Sequence, residues 1–178
     1  RYYLCAAWQH GKLFTIDLQD DYAVDSFMDA QPELMMGDDL VVSLDKTKAY
    51  VACYHAQSWV AVVMLENRRV YKMIQTGHGT CGLAMTSDER YVIASNDGDD
   101  SISVIDTKTD NLVATHSARP GFEELGITGC IQGISIGRND EVYVYGCSGN
   151  GAIFRFEDIT GTGKWMISYP GGKANSRR

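Results

Sequence analysis

Four histidines, one dense acidic run and five cysteines are the residues of this sequence with chemistry to offer. His10, His55, His78 and His116 are the side chains best suited to bind a transition metal or to move a proton near neutral pH. No two of them stand at a ligand-type local spacing, so a shared site would have to be assembled by the fold. The run Asn96-Asp97-Gly98-Asp99-Asp100 offers several oxygens from one short loop, as a hard cation requires. It lacks the alternating acidic pattern of a calcium loop and its following bidentate Glu, and it reads as a tight turn. Cys5, Cys53, Cys81, Cys130 and Cys147 form no CxxC pair. Three of them lie in apolar strand-like runs, where a thiol behaves as a small buried hydrophobe. No GxSxG elbow, P-loop or dinucleotide fingerprint is present. Gly77-His78-Gly79-Thr80-Cys81-Gly82 leads into a strand, and so lacks the helix N-terminus that a phosphate cradle needs. The sequence therefore nominates no catalytic residue, no metal site and no cofactor.

Charge narrows the partners. The 178 residues carry 16 basic and 23 acidic side chains, a net charge of −7. A nucleic-acid binder needs clustered Lys and Arg against phosphates, and an anionic membrane surface attracts the same residues, so neither partner is expected. The longest apolar runs, such as Val60 to Leu65, are strand-sized and far short of a membrane-spanning helix. The end of the chain, with Lys173, Arg177 and Arg178 beside Gly171 and Gly172, reads as a polar tail.

The elements that must position these residues announce themselves as a repeat. Tyr2 to Asp17, YYLCAAWQHGKLFTID, aligns without a gap on Tyr91 to Asp106, YVIASNDGDDSISVID. Val142 to Glu157, VYVYGCSGNGAIFRFE, follows the same frame, and AYVACYHAQSWVAVVML from Ala49 fits with a small shift in its turn. Each copy is a β-branched and aromatic run, a polar turn and a second alternating run. Aligned in this way, Cys5, Ala52, Ala94 and Tyr145 are equivalent. A period of roughly forty to fifty residues with four short strands per unit predicts an all-β fold of β-propeller blades. The units are a partial blade 1 at 1–28, blade 2 at 38–76, blade 3 at 77–117, blade 4 at 129–170 and a tail at 171–178. In blade 3, strand A falls on Gly82–Thr86, B on Tyr91–Ser95, C on Ser101–Asp106 and D on Leu112–His116. Blade 1 lacks a strand A, which predicts about four consecutive blades of a larger, seven- or eight-bladed ring, completed by further sequence or another chain.

Two stretches carry a family resemblance. Val42 to Ala52, VSLDKTKAYVA, resembles the YVTN-repeat segment VSPDGKRLYVA, and Ser101 to Thr115, SISVIDTKTDNLVAT, is similar to that family's TVSVIDTATNKVVAT. Leu44 stands where the repeat has Pro, and Lys46 and Glu89 where it has Gly. WD-repeat propellers are the close alternative, since Gly77-His78 opens a blade as their GH pair does, but their Trp-Asp pair is replaced by Ile16-Asp17, Ile105-Asp106 and Phe156-Glu157. The YVTN resemblance implies a periplasmic or extracellular propeller. The function expected is a non-catalytic scaffold whose top face binds a ligand or a protein partner. The alternatives are a redox-enzyme subunit with a haem, copper or quinone site at the channel mouth, and a lactonase-like hydrolase.

Loops on a rigid scaffold carry function, and in this strand order the B–C and D–A loops share one face, the top. The repeat frame places His10, His55, His78, Asp97, Asp99, Trp8 and Trp59 in or beside those loops. Arg119 and Phe122, from the connection Ser117 to Thr128, are expected to project over the same face. These nine residues are the candidate binding set.

Overall fold

A computed structural model describes residues 2–7, 11–34, 36–54, 57–124, 130–146 and 153–169. Among them the alternating runs form antiparallel sheets in which consecutive strands are neighbours. The first sheet has three strands, β1 (Tyr2–Ala7), β2 (Lys12–Asp17) and β3 (Val24–Met28). A 3₁₀ turn at Pro32–Leu34 leads to β4 (Gly37–Val42), β5 (Lys48–Cys53), β6 (Trp59–Met64) and β7 (Arg69–Gln75). The third sheet is β8 (Thr80–Met85), β9 (Tyr91–Asn96), β10 (Ser101–Asp106) and β11 (Asn111–Ser117). The fourth is β12 (Ile131–Ile136), β13 (Val142–Gly146), β14 (Ile153–Glu157) and β15 (Lys164–Tyr169). The first strands of successive sheets, β4, β8 and β12, pack side by side, and β7 meets β11 at the far edge. That is the radial stacking of propeller blades.

The cores lie between blades: the sheets of blades 2 and 3 each pack on two sides, while those of blades 1 and 4 each contribute to one described cluster. In β5, Ala49, Val51 and Cys53 face blade 1 with Leu13 and Met28, while Tyr50 and Ala52 face blade 3 with Leu83, Val92 and Ile105. Ile93, Ile102 and Val104 meet Val142, Val144 and Phe156 across the next interface. Each buried Val, Leu, Ile, Met or Phe among them contributes roughly 1.5–3 kcal/mol by leaving water. The sheet registers also correct the sequence alignment. Opposite the third residue of each first strand stand Ala52, Ser95 and Tyr145, not Ala52, Ala94 and Tyr145. A one-residue slip exchanges the two faces of a strand, so blades 2 and 4 read from sequence were turned over relative to blade 3.

The turns on the bottom face explain the departures from the repeat. Lys46, Glu89 and Asp140 hold φ of 58°, 57° and 58°, the left-handed conformation that glycine adopts without strain. The acidic side chains offset part of that strain by stitching neighbouring blades. Glu89 accepts the Leu44 amide, and Asp140 accepts the Ser87 amide at 2.8 Å and its hydroxyl at 2.9 Å.

The connection after β11 is not an extended spacer. Arg119–Glu124 forms the short helix α1, whose Phe122 is 3% exposed and packs into the core between blades 3 and 4. Phe122 therefore does not project over the top face, because burial of its ring in an apolar cluster outweighs any gain from leaving it in solvent. Cys5, Cys53 and Cys81 are free thiols, and Cys130 is disulfide-bonded.

Candidate functional site at the channel mouth

The first strand of each complete blade breaks register near its start. The ladder skips from Gly37 to Asp39, from Thr80 to Gly82 and from Ile131 to Gly133. The residues left over are Asp38, Cys81 and Gln132, one from each blade at the same position. A β-bulge leaves its extra residue unpaired and re-aims its side chain, and bulges concentrate beside functional sites. Here all three line a cavity of about 450 Å³ together with Tyr54, Asp97 and Tyr145. Tyr54 and Asp97 are themselves equivalent, each following the last residue of a second strand. The Tyr54 amide donates to Met36 O, as the Asp97 amide donates to Gly79 O at 2.8 Å.

Glycine makes room at the next step. Tyr145 stands opposite Gly133 and its ring occupies the space a Cβ on Gly133 would take. Gly82 is crowded by Ser95 Oγ in the same way, and its amide donates to that oxygen at 3.0 Å. A buried polar network then fixes the two top loops of blade 3 against each other. Thr80 Oγ1 donates to Asn96 Oδ1, and Asn96 Nδ2 donates to Ser101 and Ser103. Ser101 Oγ donates to Asp99 Oδ1, and the His78 amide donates to Asp99 Oδ2 at 3.0 Å. The loop 97–100 is thereby held so that Asp97 reaches the mouth.

The electrostatics of the mouth are acidic. Asp38 is open to solvent at the rim, yet crowding by the walls, and then the charge of Asp39, hold its carboxyl above the usual carboxylate range. Tyr54 donates its phenol to Asp97, and desolvation followed by the charge of Asp97 raises its pKa. The Cys81 thiol is 7% exposed, lies 3.2 Å from Gln132 O and 3.5 Å from Ile131 O, and is pushed up chiefly by burial. Such a thiol stays protonated and makes a poor nucleophile. A carboxyl with a raised pKa is the better acid–base group. Among the described residues, no Lys, Arg or His lines the cavity.

Of the six sequence candidates among the described residues, Asp97 alone lines this cavity. His78 is exposed and its ring covers Gly98, while Asp99 is occupied in the loop-fixing network. Arg119 is exposed and pairs with Asp100 at 3.6 Å. Trp59 is half-buried against the blade 1–2 core and donates its indole N–H to Glu33 O at 2.9 Å, so it packs within the fold. His10, His55 and Trp8 lie outside the described residues. The remaining histidine, His116, has Nε2 2.6 Å from Ile159 O. Among the described residues no group of three or more His, Cys, Asp or Glu is placed to hold a metal.

Sequence reasoning missed Asp38, Cys81, Gln132, Tyr54 and Tyr145. A signal was present: GDDLVVSLD from Gly37, TCGLAMTSD from Thr80 and IQGISIGRN from Ile131 align without gaps, with the bulge residue second and glycine third in two of them.

No protein-family profile matches the sequence, and no curated protein matches it significantly. Solved structures do match. Hydrazine synthase of Kuenenia stuttgartiensis superposes with a TM-score of 0.67 at 14% identity, over 89% of this chain and 44% of that one. The periplasmic gluconolactonase of Pseudomonas aeruginosa gives 0.66 at 12% identity, over 87% and 50%. A "putative 6-phosphogluconolactonase" of Bacteroides uniformis gives 0.66 at 16% identity, over 93% and 52%. At these identities the likeness shows the fold, a β-propeller, and the chain spans about half the length of the proteins it resembles.

Proposed function

We propose that the chain carries the ligand-binding mouth of a lactonase-like propeller hydrolase, which opens a cyclic ester by addition of water. The observation that carries this reading is the convergence of three equivalent bulges, from three blades, on one cavity that holds an acid–base group with a perturbed pKa. Asp38 is the general base: it takes a proton from water as the water oxygen adds to the acyl carbon. The proton returns to the ring oxygen as the acyl–oxygen bond breaks. The gluconolactonase among the structural neighbours agrees with this chemistry. A periplasmic or extracellular setting is part of the proposal and rests on the Cys130 disulfide, a bond that persists in oxidising compartments. So is completion of the ring by further blades, since among the described residues β1 pairs with β2 alone.

The test is acid release from glucono-δ-lactone above the spontaneous rate. Asp38→Asn is expected to lower kcat by about a hundredfold, the lower end of what a positioned base supplies. The base must be ionised, so the wild-type rate is expected to fall as pH drops through a value above the usual carboxylate range. An unchanged Asp38→Asn rate sinks the assignment. A second reading, a propeller scaffold that binds without turnover, is favoured by the protonated Cys81 thiol and by the Tyr54–Asp97 bond, which occupies one phenol. Saturable ligand binding with no acid release selects it.

A further inference from the structure

The charge of the mouth says which cyclic esters it admits. Asp38 and Asp97 line the cavity, and Asp99 and Asp100 follow Asp97 in the same loop. Their fields overlap: Asp97 and Asp99 act on Asp100, and both Asp38 and Asp97 act on Tyr54 and Cys81. Arg119 is tied to Asp100 and does not line the cavity. Among the described residues the rest of the lining is Gln132, Tyr54, Tyr145 and the buried Cys81 thiol. Carboxylates accept pairs of hydroxyl protons, a carboxamide both donates and accepts, and aromatic faces cover the apolar side of a ring.

We infer that the mouth selects an uncharged polyhydroxylated ring and rejects its phosphorylated or carboxylated counterpart. The inference deepens the hydrolase reading and rests on it for turnover, though the charge selection is a property of binding. Like charges brought together in a partly desolvated cleft repel strongly and are screened by salt.

The experiment compares kcat/KM for glucono-δ-lactone and its 6-phosphate at about 20 mM and about 0.5 M ionic strength. The neutral lactone is expected to be preferred by at least about tenfold at low salt, with the ratio shrinking several-fold at high salt. Asp97→Asn is expected to narrow the low-salt ratio of the two kcat/KM values. Equal or better use of the phosphate at low salt, or a ratio indifferent to salt, overturns the inference and leaves the hydrolase reading standing. If neither lactone is turned over, the hydrolase reading fails, and calorimetry with the hydrolysis-resistant gluconolactam and its 6-phosphate decides the charge selection alone. Binding of the lactam and not of its phosphate upholds the inference; binding of both equally, or of neither, overturns it.

Discussion

Asp110 offers the sharpest test of how the blades are held together. It closes the turn between β10 and β11 with φ of 52°, and its side chain is 6% exposed against blade 2. Lys48 Nζ donates to its Oδ2 at 2.6 Å and Tyr50 OH donates to its Oδ1 at 2.6 Å. Burial and the neighbouring carboxylate push the Tyr50 phenol far above its ordinary range, so it remains a donor throughout the working pH range. Asp110→Ala leaves an ammonium and a hydroxyl without their acceptor, and removing one partner of a buried pair costs about 3–5 kcal/mol. Lys48 is 24% exposed and can swing toward water, which favours the lower end. An alanine at positive φ adds about 1 kcal/mol of strain, giving about 3–4 kcal/mol in all. Tyr50→Phe loses one charge-assisted bond and is expected to cost about 1.5–3 kcal/mol. Urea denaturation followed by tryptophan fluorescence measures both. With a slope of ~2–3 kcal/mol/M, the Asp110→Ala midpoint drops by roughly 1–2 M. A loss below about 1 kcal/mol for Asp110→Ala, or a Tyr50→Phe cost equal to it, would refute the description of a shared buried acceptor.

Gly133→Ala sets a Cβ where the Tyr145 ring lies, so it is expected to cost about 1–3 kcal/mol of stability and to weaken lactam binding; unchanged binding would remove Tyr145 from the site. Lys46→Gly relieves a left-handed residue whose side chain is exposed, and is expected to stabilise by up to about 1 kcal/mol in the same denaturation assay. Glu89→Gly forfeits the bond to the Leu44 amide and is expected to gain less than Lys46→Gly. Burial pushes the Cys53 thiol up to about 12 and raises that of Cys81, so both should resist a disulfide reagent at pH 8 until the protein is denatured, with the released thiolate read by absorbance.

How much of this was legible in the sequence depends on which physical signal each feature leaves. Strands such as Ser101–Asp106 and Tyr91–Asn96 were legible because burial on both faces demands continuous β-branched and apolar runs. The turn at 97–100 was legible from its Asn, Asp and Gly content. Register was not, because strand ends of unequal length hide a one-residue slip that the interblade packing fixes. The bulges at Asp38, Cys81 and Gln132 leave no compositional mark of their own; their signal is the gapless alignment of the three first strands. Phe122 was misplaced because a six-residue helix is too short to show periodicity, and its burial depends on tertiary contacts. Lys46 and Glu89 read as departures from a glycine turn, whereas the backbone keeps the glycine conformation.

A crystal structure of the protein soaked with gluconolactam tests most directly whether the channel mouth is a ligand site. The lactam is expected in the cavity bounded by Asp38, Asp97, Gln132, Tyr54 and Tyr145, with ring hydroxyls on the two carboxylates. Lactam bound elsewhere, with this cavity empty at saturating concentration, would contradict it.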